Sequence, residues 1–184
     1  MPNLCCSTIF AERVTLKPVS SAYEDAIFRE FTEEVARYTF PKPADDIEGV
    51  RAFIGESRAK MERGTDLVVA VIDRMSGAFL GCAGLHGLDG DEPEFGIWLA
   101  VSAQGKGIGK EVVLALHAWA VANLPQPFLR YVSDRTNIPS RRLAEVLGGA
   151  PVGESVLSNA RGEYLPVVTY RVPNRRDVRD AVSD

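Results

Sequence analysis

The stretch Gln104-Gly105-Lys106-Gly107-Ile108-Gly109-Lys110 decides the fold of this 184-residue chain. It follows a strand-like run at residues 95–101 and opens an amphipathic segment at residues 108–122. Glycines let a backbone approach an anion closely, and the first N–H groups of a helix lack internal partners and carry the positive end of the helix dipole. The order of strand, glycine turn and helix therefore predicts a site for a phosphorylated ligand.

The spacing of the glycines narrows the choice of ligand. They read G-x-G-x-G, which differs from the G-x-G-x-x-G of dinucleotide sites, and no Ser or Thr follows Lys110 as in a P-loop. Such sites also usually follow the first strand of a βαβ unit, whereas this turn lies beyond residue 100. NAD and ATP are therefore disfavoured, although a nucleotide-binding domain of another kind stays open as an alternative.

The pattern Gln104-x-x-Gly107-x-Gly109 resembles the acyl-CoA signature of the GNAT N-acetyltransferases, which is Arg or Gln, two residues, Gly, one residue, and Gly or Ala. Other stretches resemble the ribosomal-protein Nα-acetyltransferase (RimJ/RimL-type) branch of that family. They are Glu94-Phe95-Gly96-Ile97-Trp98-Leu99, Asn137-Ile138-Pro139-Ser140-Arg141-Arg142-Leu143 with the later Leu147-Gly148-Gly149, and Glu12-Arg13-Val14-Thr15-Leu16-Lys17-Pro18. The resemblance covers residues 9–171.

The resemblance implies a single α/β domain of GNAT type. Its mixed, mostly antiparallel sheet would have about seven strands flanked by helices, and the fourth and fifth strands would splay apart. We expect one domain at residues 1–184, with a core at 9–171 and a charged tail at 173–184. Hydrophobic patterning predicts strands at 14–17, 67–73, 78–86, 94–99, 128–133, 152–157 and 165–171, and helices at 20–38, 46–62, 108–122 and 139–147.

Composition excludes several classes of protein. A net charge of −4 argues against a general nucleic-acid binder, which needs a basic surface, but suits a cationic amine substrate. The chain has no uninterrupted apolar run of about 18 residues, as a membrane span requires. Residues 1–12 contain no Lys or Arg and do not resemble a signal peptide. We therefore expect a cytoplasmic protein with no nucleic-acid or membrane partner.

The three cysteines form neither a disulfide framework nor a zinc site, so we expect no metal. Cys5 and Cys6 are adjacent, without histidines at ligand spacing. Cys82 lies in an apolar run, which favours a small core residue. His86 would share its strand face, which leaves a catalytic cysteine as the alternative. His117 lies in a helical segment rich in Val, Leu and Ala and is expected to pack.

The resemblance implies acetyl-CoA as the co-substrate. The glycine turn would bind its pyrophosphate, and the pantetheine arm would lie between the splayed strands near Leu99 and Val101. N–H groups at Ile97 or Trp98 would face the thioester oxygen, and Gly96 is typical of a bulge, a close backbone approach or simple packing. The predicted cofactor-binding residues are Ile97, Trp98, Leu99, Val101, Gln104, Gly105, Lys106, Gly107, Ile108, Gly109, Lys110, Asn137 and Ser140.

Proton transfer needs further groups, because an amine is mostly protonated at pH 7 and must lose a proton before it attacks. Glu94 is the candidate base, with Asp91 and Glu92 as rivals; a solvated acidic loop or a water relay are the alternatives. By resemblance, Ser140 is the candidate proton donor to the CoA thiolate and Asn137 bonds the pantetheine arm. Either side chain would equally fit a cap of the short helix that follows.

Two tyrosines, Tyr131 and Tyr164, are alternative acids. The predicted activity is transfer of an acetyl group from acetyl-CoA to a primary amine, by direct attack in a ternary complex. Alternatives are an acyl-CoA-binding sensor without turnover and a larger donor such as succinyl-CoA, and the resemblance leaves room for a homodimer.

The acceptor pocket would be built from residues 20–62 and 158–164, which carry no signature that selects a protein N-terminus, an amino acid or a small amine. Its entrance would include Glu33, Glu34, Arg37, Tyr38 and Phe40.

Overall fold

Eight strands form one sheet at the centre of the fold, in the order β1-β2-β3-β4-β5-β6-β8-β7. The computed structural model describes residues 3–175. The strands are β1 (Ile9–Phe10), β2 (Val14–Pro18), β3 (Asp66–Asp73), β4 (Phe79–His86), β5 (Glu94–Leu99), β6 (Phe128–Asp134), β7 (Ala150–Ser158) and β8 (Tyr164–Pro173). The helices are α1 (Glu24–Glu30), α2 (Glu33–Ala36), α3 (Ile47–Arg63), α4 (Ile108–Asn123) and α5 (Ile138–Val146).

The additional strand is β1, so the predicted fourth and fifth strands are β5 and β6. β1 has two residues, too few to show the alternation that identifies a strand in a sequence. A tight turn holds it beside β2, where the N–H of Ala11 donates to the carbonyl oxygen of Val14 at 3.0 Å. The predicted mixed α/β sheet is otherwise confirmed.

The predicted helix at residues 20–38 is wrong in one respect, because the chain breaks it in two. Phe31 leaves the helical region at φ −84° and ψ 73°, and the extended Thr32 accepts a hydrogen bond from the N–H of Val35 to start α2. Ser20 and Ser21, at the predicted start of this helix, do not cap it: α1 begins after a 3₁₀ turn at Ser21–Tyr23, and its N-cap residue Tyr23 makes no side-chain cap. The break carries the ring of Phe31 to the indole of Trp98, with 4.7 Å between ring centroids.

Other predicted elements are confirmed. Asp46 caps α3 by accepting from the N–H of Gly49 at 3.0 Å, and the β3–β4 turn contains Gly77 at φ 74°. All of Asp66–Ile72 is buried, so β3 lies within the core. In residues 3–175, no helix is long and apolar enough to cross a bilayer. Most of the predicted charged tail, from residue 176 onward, lies outside the described residues.

The sheet opens between β5 and β6, the one parallel pair among the strands of residues 3–175. These strands pair at two register positions, Glu94 with Arg130 and Phe95 with Tyr131. Beyond Phe95, β5 continues in register with β4 alone, up to Leu99 beside Gly81. The two strands therefore part at Gly96, which confirms the predicted splay and leaves a gap in the middle of the sheet.

Candidate active site

A cleft of about 770 Å³ occupies the gap where β5 and β6 part. It is lined by β4, β5 and β6, by the start of α4 and α5, and by the segment around α2. The predicted site residues that line it are Glu94, Ile97, Trp98, Leu99, Gln104, Gly105, Gly107, Gly109, Lys110, Asn137 and Ser140. Three predicted cofactor-binding residues do not line the cleft. Val101 and Lys106 are exposed outside it, and Ile108 is buried in the core.

The glycine turn at the end of this cleft has the conformation that its sequence requires. Gly105 and Gly107 adopt φ of 70° and 77°, a left-handed region that side chains with a β-carbon disfavour. Gly107 is the N-cap of α4, so the unbonded N–H groups of the first turn follow it directly. The turn therefore presents backbone donors and a helix dipole to one end of the cleft, as anion binding needs.

Two residues that the sequence analysis missed hold this turn in place. Nε of Arg13 lies 2.8 Å from Oε2 of Glu111 in the first turn of α4, and Nη1 of Arg13 donates to the carbonyl oxygen of Lys106 at 3.0 Å. The N–H groups of Arg13 and Val14 also donate to Glu111. Burial alone would raise the pKa of Glu111, but these hydrogen bonds outweigh it and lower that pKa.

No local signal in the sequence links Arg13 with Glu111, because 98 positions separate them and the two elements meet only in the tertiary fold. Gln104, the first residue of the acyl-CoA signature, has a side chain that bonds to the backbone of β5. Its side-chain amide donates to the carbonyl oxygen of Leu99 at 2.9 Å and so ties the end of β5 to the turn. The turn and the strand that lines the cleft are therefore fixed to each other.

Ser140, the predicted proton donor, lies on the opposite wall. Its Oγ lies 3.1 Å from the hydroxyl of Tyr131, and both residues line the cleft. Burial raises the pKa of Tyr131 to about 12, against the lesser effect of its hydrogen bond with Ser140. Asn137 caps α5 by accepting from the N–H of Ser140 at 3.2 Å, as one of its two predicted roles requires. Tyr164, the other tyrosine considered as an acid, is 79% exposed and does not line the cleft.

Glu94, the predicted base, lines the cleft but is already paired. Its Oε2 accepts a hydrogen bond from Nε of Arg130 at 2.7 Å and lies 2.6 Å from Nη2 of the same guanidinium, and the two residues are neighbours in the β5–β6 register. The rival carboxylates Asp91 and Glu92 line a separate groove, where Glu92 pairs with Arg171 at 2.6 Å. Among the three candidate bases, the structure therefore brings Glu94 alone to the cleft.

His86 also lines the cleft, and the sequence analysis considered it only as a partner of Cys82. It ends β4, next to Glu94 in register. Its Nδ1 lies 2.8 Å from Oδ2 of Asp66, a side chain that is 11% exposed, whereas the His86 side chain is 44% exposed. The N–H of Gly87 donates to the other carboxylate oxygen of Asp66 at 3.3 Å. Asp66 and His86 are register partners on β3 and β4, and the predicted strand at 67–73 begins one residue after Asp66.

Gly96 makes room for this imidazole. A β-carbon on Gly96 would lie 2.8 Å from Nε2 of His86, closer than side chains can pack. Gly96 stays in register with Gly84, so the bulge considered from the sequence is absent from β5 as described. The close approach at Gly96 is made by the ring of His86, and Nε2 therefore lies over the point at which β5 leaves β6.

The end of the cleft expected to take the acceptor amine is lined by the segment around α2. Glu34, Tyr38 and Phe40 line it. The loop between β7 and β8 does not line the cleft but fixes this segment, because Arg161 donates to the carbonyl oxygen of Ala36 at 2.9 Å. The other two predicted entrance residues, Glu33 and Arg37, do not line the cleft. Oε2 of Glu33 lies 3.6 Å from Nη1 of Arg161, and the guanidinium of Arg37 lies over the ring of Tyr38.

The remaining predictions for Cys82 and His117 are confirmed as packing roles. Cys82 is buried, and burial raises the pKa of its thiol well above the usual value, which disfavours the nucleophilic thiolate. His86 bonds to Asp66 and not to this thiol. His117 on α4 is partly buried and lies 2.8 Å from the carbonyl oxygen of Pro173.

Comparison with known proteins supports the family resemblance found in the sequence. A model of the GNAT acetyltransferase domain matches residues 13–150, whereas no curated protein sequence gives a significant match. The solved ribosomal-protein-S5-alanine acetyltransferase from Vibrio fischeri superposes with a TM-score of 0.77 at 17% identity, covering 91% of this chain and 97% of that chain. Spermidine N-acetyltransferase from Vibrio cholerae, solved with CoA and spermine, gives 0.76 at 17% identity, with 88% and 96% covered.

A third similar structure is RimL, a ribosomal L7/L12 α-N-protein acetyltransferase in complex with CoA. It gives a TM-score of 0.77 at 15% identity, covering 92% of this chain and 100% of that chain. Similarity at these identities shows a shared fold. The family match is independent of it and spans β2 to β6, the glycine turn and α5. The chain therefore belongs to the GNAT acetyltransferase family.

Proposed function

We propose that this protein transfers an acetyl group from acetyl-CoA to a primary amine by direct attack in a ternary complex. One observation carries the proposal. The gap between β5 and β6 leads directly from the glycine turn at the start of α4 to the side chains of Ser140, Glu94 and His86. A single cleft therefore offers a place for the phosphates, for the pantetheine arm and for the reacting groups, in that order.

The phosphate end of the cleft is the more clearly defined. Backbone N–H groups of the turn and the N-terminus of α4 would bind the pyrophosphate, with Lys110 as a cationic neighbour. The pantetheine arm would follow β5 past Leu99, whose carbonyl oxygen already accepts from Gln104. Two of the similar structures contain CoA, which supports a CoA ester as the ligand of this cleft.

The thiolate leaving group needs a proton, and Ser140 is the proposed donor. Its hydroxyl lies on the α5 wall of the cleft, opposite β5, and is bonded to the hydroxyl of Tyr131. Since burial keeps Tyr131 protonated at neutral pH, its O–H can donate to Ser140 as Ser140 donates to sulfur. N–H groups of β5 at Ile97 or Trp98 are the proposed donors to the thioester oxygen.

The acceptor end suits a cationic amine. The charged side chains that line it include the carboxylates of Glu34 and Glu94, whereas Lys110 lies at the phosphate end. The similar proteins include one named for spermidine and others named for ribosomal-protein N-termini, so both kinds of amine are proposed acceptors. Glu94, the base expected from the sequence, is paired with Arg130 and contributes its negative charge to this end of the cleft.

Thiol release from acetyl-CoA tests the proposal. The purified protein is mixed with acetyl-CoA and a panel of amines that includes spermidine, free amino acids and peptides with Ala or Ser at the N-terminus. We expect amine-dependent release of CoA, with the acetylated amine identified by mass spectrometry. Binding of acetyl-CoA without thiol release over the whole panel would instead support a sensor. Faster thiol release from succinyl-CoA than from acetyl-CoA would show that the larger ester is the preferred acyl donor.

A further inference from the structure

We infer that His86, oriented by Asp66, is the general base that takes the proton from the acceptor amine. This inference rests on the proposed acetyl transfer and names the residue that prepares the nucleophile. It is carried by three observations on adjacent strands: the orientation of the imidazole, the room that glycines leave around it, and its position at the parting of β5 and β6.

The first observation is the hydrogen bond that fixes the ring. The carboxylate of Asp66 accepts from Nδ1 of His86 at 2.8 Å and is itself held by the N–H of Gly87. A ring that donates from Nδ1 carries its free lone pair on Nε2. The buried carboxylate also stabilises the imidazolium that forms when Nε2 accepts a proton, as a carboxylate does behind a catalytic histidine.

The second observation is that glycine occupies both neighbouring positions on the same face of the sheet. Gly84 and Gly96 are register partners, and a β-carbon on either would lie within 3.4 Å of Nε2 of His86. At position 96 a larger residue would meet the imidazole, whereas at position 84 it would first meet the carbonyl oxygen of Leu67 at 2.5 Å. Gly96 therefore leaves room for the imidazole, which lines the cleft with 44% of the side chain exposed.

The third observation is the position of Nε2 relative to the expected thioester. Nε2 lies over Gly96, and the N–H groups proposed to bind the thioester oxygen belong to the next two residues, Ile97 and Trp98. An amine that attacks the carbonyl carbon there must approach within hydrogen-bond reach of a base. Glu94 is a weaker candidate, because its Oε2 already accepts a hydrogen bond from Nε of Arg130 and forms an ion pair with that guanidinium.

The proton balance of the proposed step is complete. Nε2 of His86 takes one proton from the bound ammonium group, and the nitrogen lone pair forms the new C–N bond. The C–S bond breaks with its electrons on sulfur, which takes a proton from Ser140. The nitrogen loses its remaining excess proton, which restores Ser140 through solvent or Tyr131, and the imidazolium returns its proton to solvent. Each turnover thus yields the amide, CoA and one released proton.

Several charged groups face the imidazole. Asp66 on β3 and Glu94 on β5 flank it, and Glu34 of α2 lines the same cleft. Glu56 and Lys60 of α3 are close enough to Asp66 to interact with it electrostatically. The pH dependence must therefore be measured in matched variants instead of being assigned from a single profile.

The test compares His86→Gln with Glu94→Gln, using the best acceptor amine and measuring kcat, kcat/KM against pH, and the Kd of acetyl-CoA. We expect His86→Gln to lower kcat by about 100-fold or more at neutral pH while the Kd of acetyl-CoA stays unchanged. The wild-type kcat/KM should reach a plateau above the titration of one group. The variant should instead rise with pH without that plateau, because only free amine in solution would react.

Glu94→Gln should change the KM for the amine and keep the wild-type plateau. Asp66→Asn keeps the volume of the carboxylate and should lower kcat about tenfold through loss of the imidazolium partner, which identifies Asp66 as a positioning residue. If His86→Gln does not fold, as loss of acetyl-CoA binding would reveal, Gly96→Ala provides the second variant because it displaces the ring without removing it.

The inference is overturned if His86→Gln, or Gly96→Ala in its place, keeps kcat and the plateau, or if Glu94→Gln alone loses the plateau. A wild-type protein that binds acetyl-CoA but releases no thiol with any amine is a different result. That outcome would contradict the proposed acetyl transfer itself, and the two failures are therefore distinguishable.

Discussion

Nε2 of His86 lies 2.8 Å from the point that a β-carbon on Gly96 would occupy. Glycine at position 96 is therefore required by a side chain on the neighbouring strand as well as by the expected passage of a pantetheine arm. The pair places a titratable ring at the point where the parallel strands separate.

Replacement of Gly96 by Ala should displace the imidazole and lower kcat by about tenfold or more, because a catalytic base must stay within hydrogen-bond reach of its proton. The clash is with a movable side chain and not with backbone, so the fold should survive with a loss of about 1–3 kcal/mol. Gly55→Ala in α3 is the matched control, since nothing lies within 4 Å of its β-carbon. Steady-state kinetics and urea unfolding would check both variants; an unaffected kcat in Gly96→Ala would count against the role of the ring.

Replacement of Gly107 by Val should raise the KM for acetyl-CoA about tenfold, because Gly107 has φ 77° and a β-branched residue there is strained. Lys106→Ala should change that KM by less than about threefold, since Lys106 holds the turn through its carbonyl oxygen and its side chain does not line the cleft. Initial rates against acetyl-CoA concentration measure both effects. The reverse order of effects would show that charge, and not backbone conformation, binds the phosphates.

Acid should remove the stabilisation that Glu111 provides. A carboxyl group with a lowered pKa in the folded state stabilises the fold above its unfolded pKa, and this contribution is lost as the pH falls through the folded value. Glu111→Gln should therefore be less stable than the wild type by about 1 kcal/mol at pH 7. The difference should shrink below about pH 4. Urea unfolding of both proteins from pH 7 to pH 3 would test this, and a difference that is independent of pH would contradict it.

Removal of the Ser140 hydroxyl tests the proposed acid. Ser140→Ala should lower kcat by about 10- to 100-fold with little change in the KM for acetyl-CoA. Tyr131→Phe should have a smaller effect, because the Ser140 hydroxyl that faces the cleft remains. Ser155→Ala on the exposed strand β7 serves as the control. An unchanged kcat in Ser140→Ala would remove Ser140 from the mechanism.

Local patterns were sufficient to predict most of the scaffold and the phosphate end of the cleft. The glycine turn, the cap at Asn137 and the β3–β4 hairpin each depend on residues a few positions apart, so their chemistry is visible in the sequence. The break at Phe31 was not predictable from periodicity, because the helical spacing continues through it. Its cause is tertiary, namely the contact between Phe31 and Trp98.

The same difference between local patterns and tertiary contacts applies to the residues of the cleft. Ser140 was predicted because it lies within a recognisable motif, whereas the bracing of the turn by Arg13 and Glu111 depends on residues 98 positions apart. Asp66 and His86 are 20 positions apart and meet only because the β3–β4 register aligns them. Glu94 was proposed on motif position alone, and its pairing with Arg130 could not be known before the parallel register was.

The central claim is that the gap between β5 and β6 is an acyl-CoA site. It is tested most directly by the melting temperature of the purified protein with acetyl-CoA, CoA, ATP and NAD, because a ligand that binds only the folded state raises that temperature. We predict a rise with acetyl-CoA and CoA that is strongly reduced in Gly107→Val. A larger rise with ATP or NAD, or no rise with acetyl-CoA, would contradict the account.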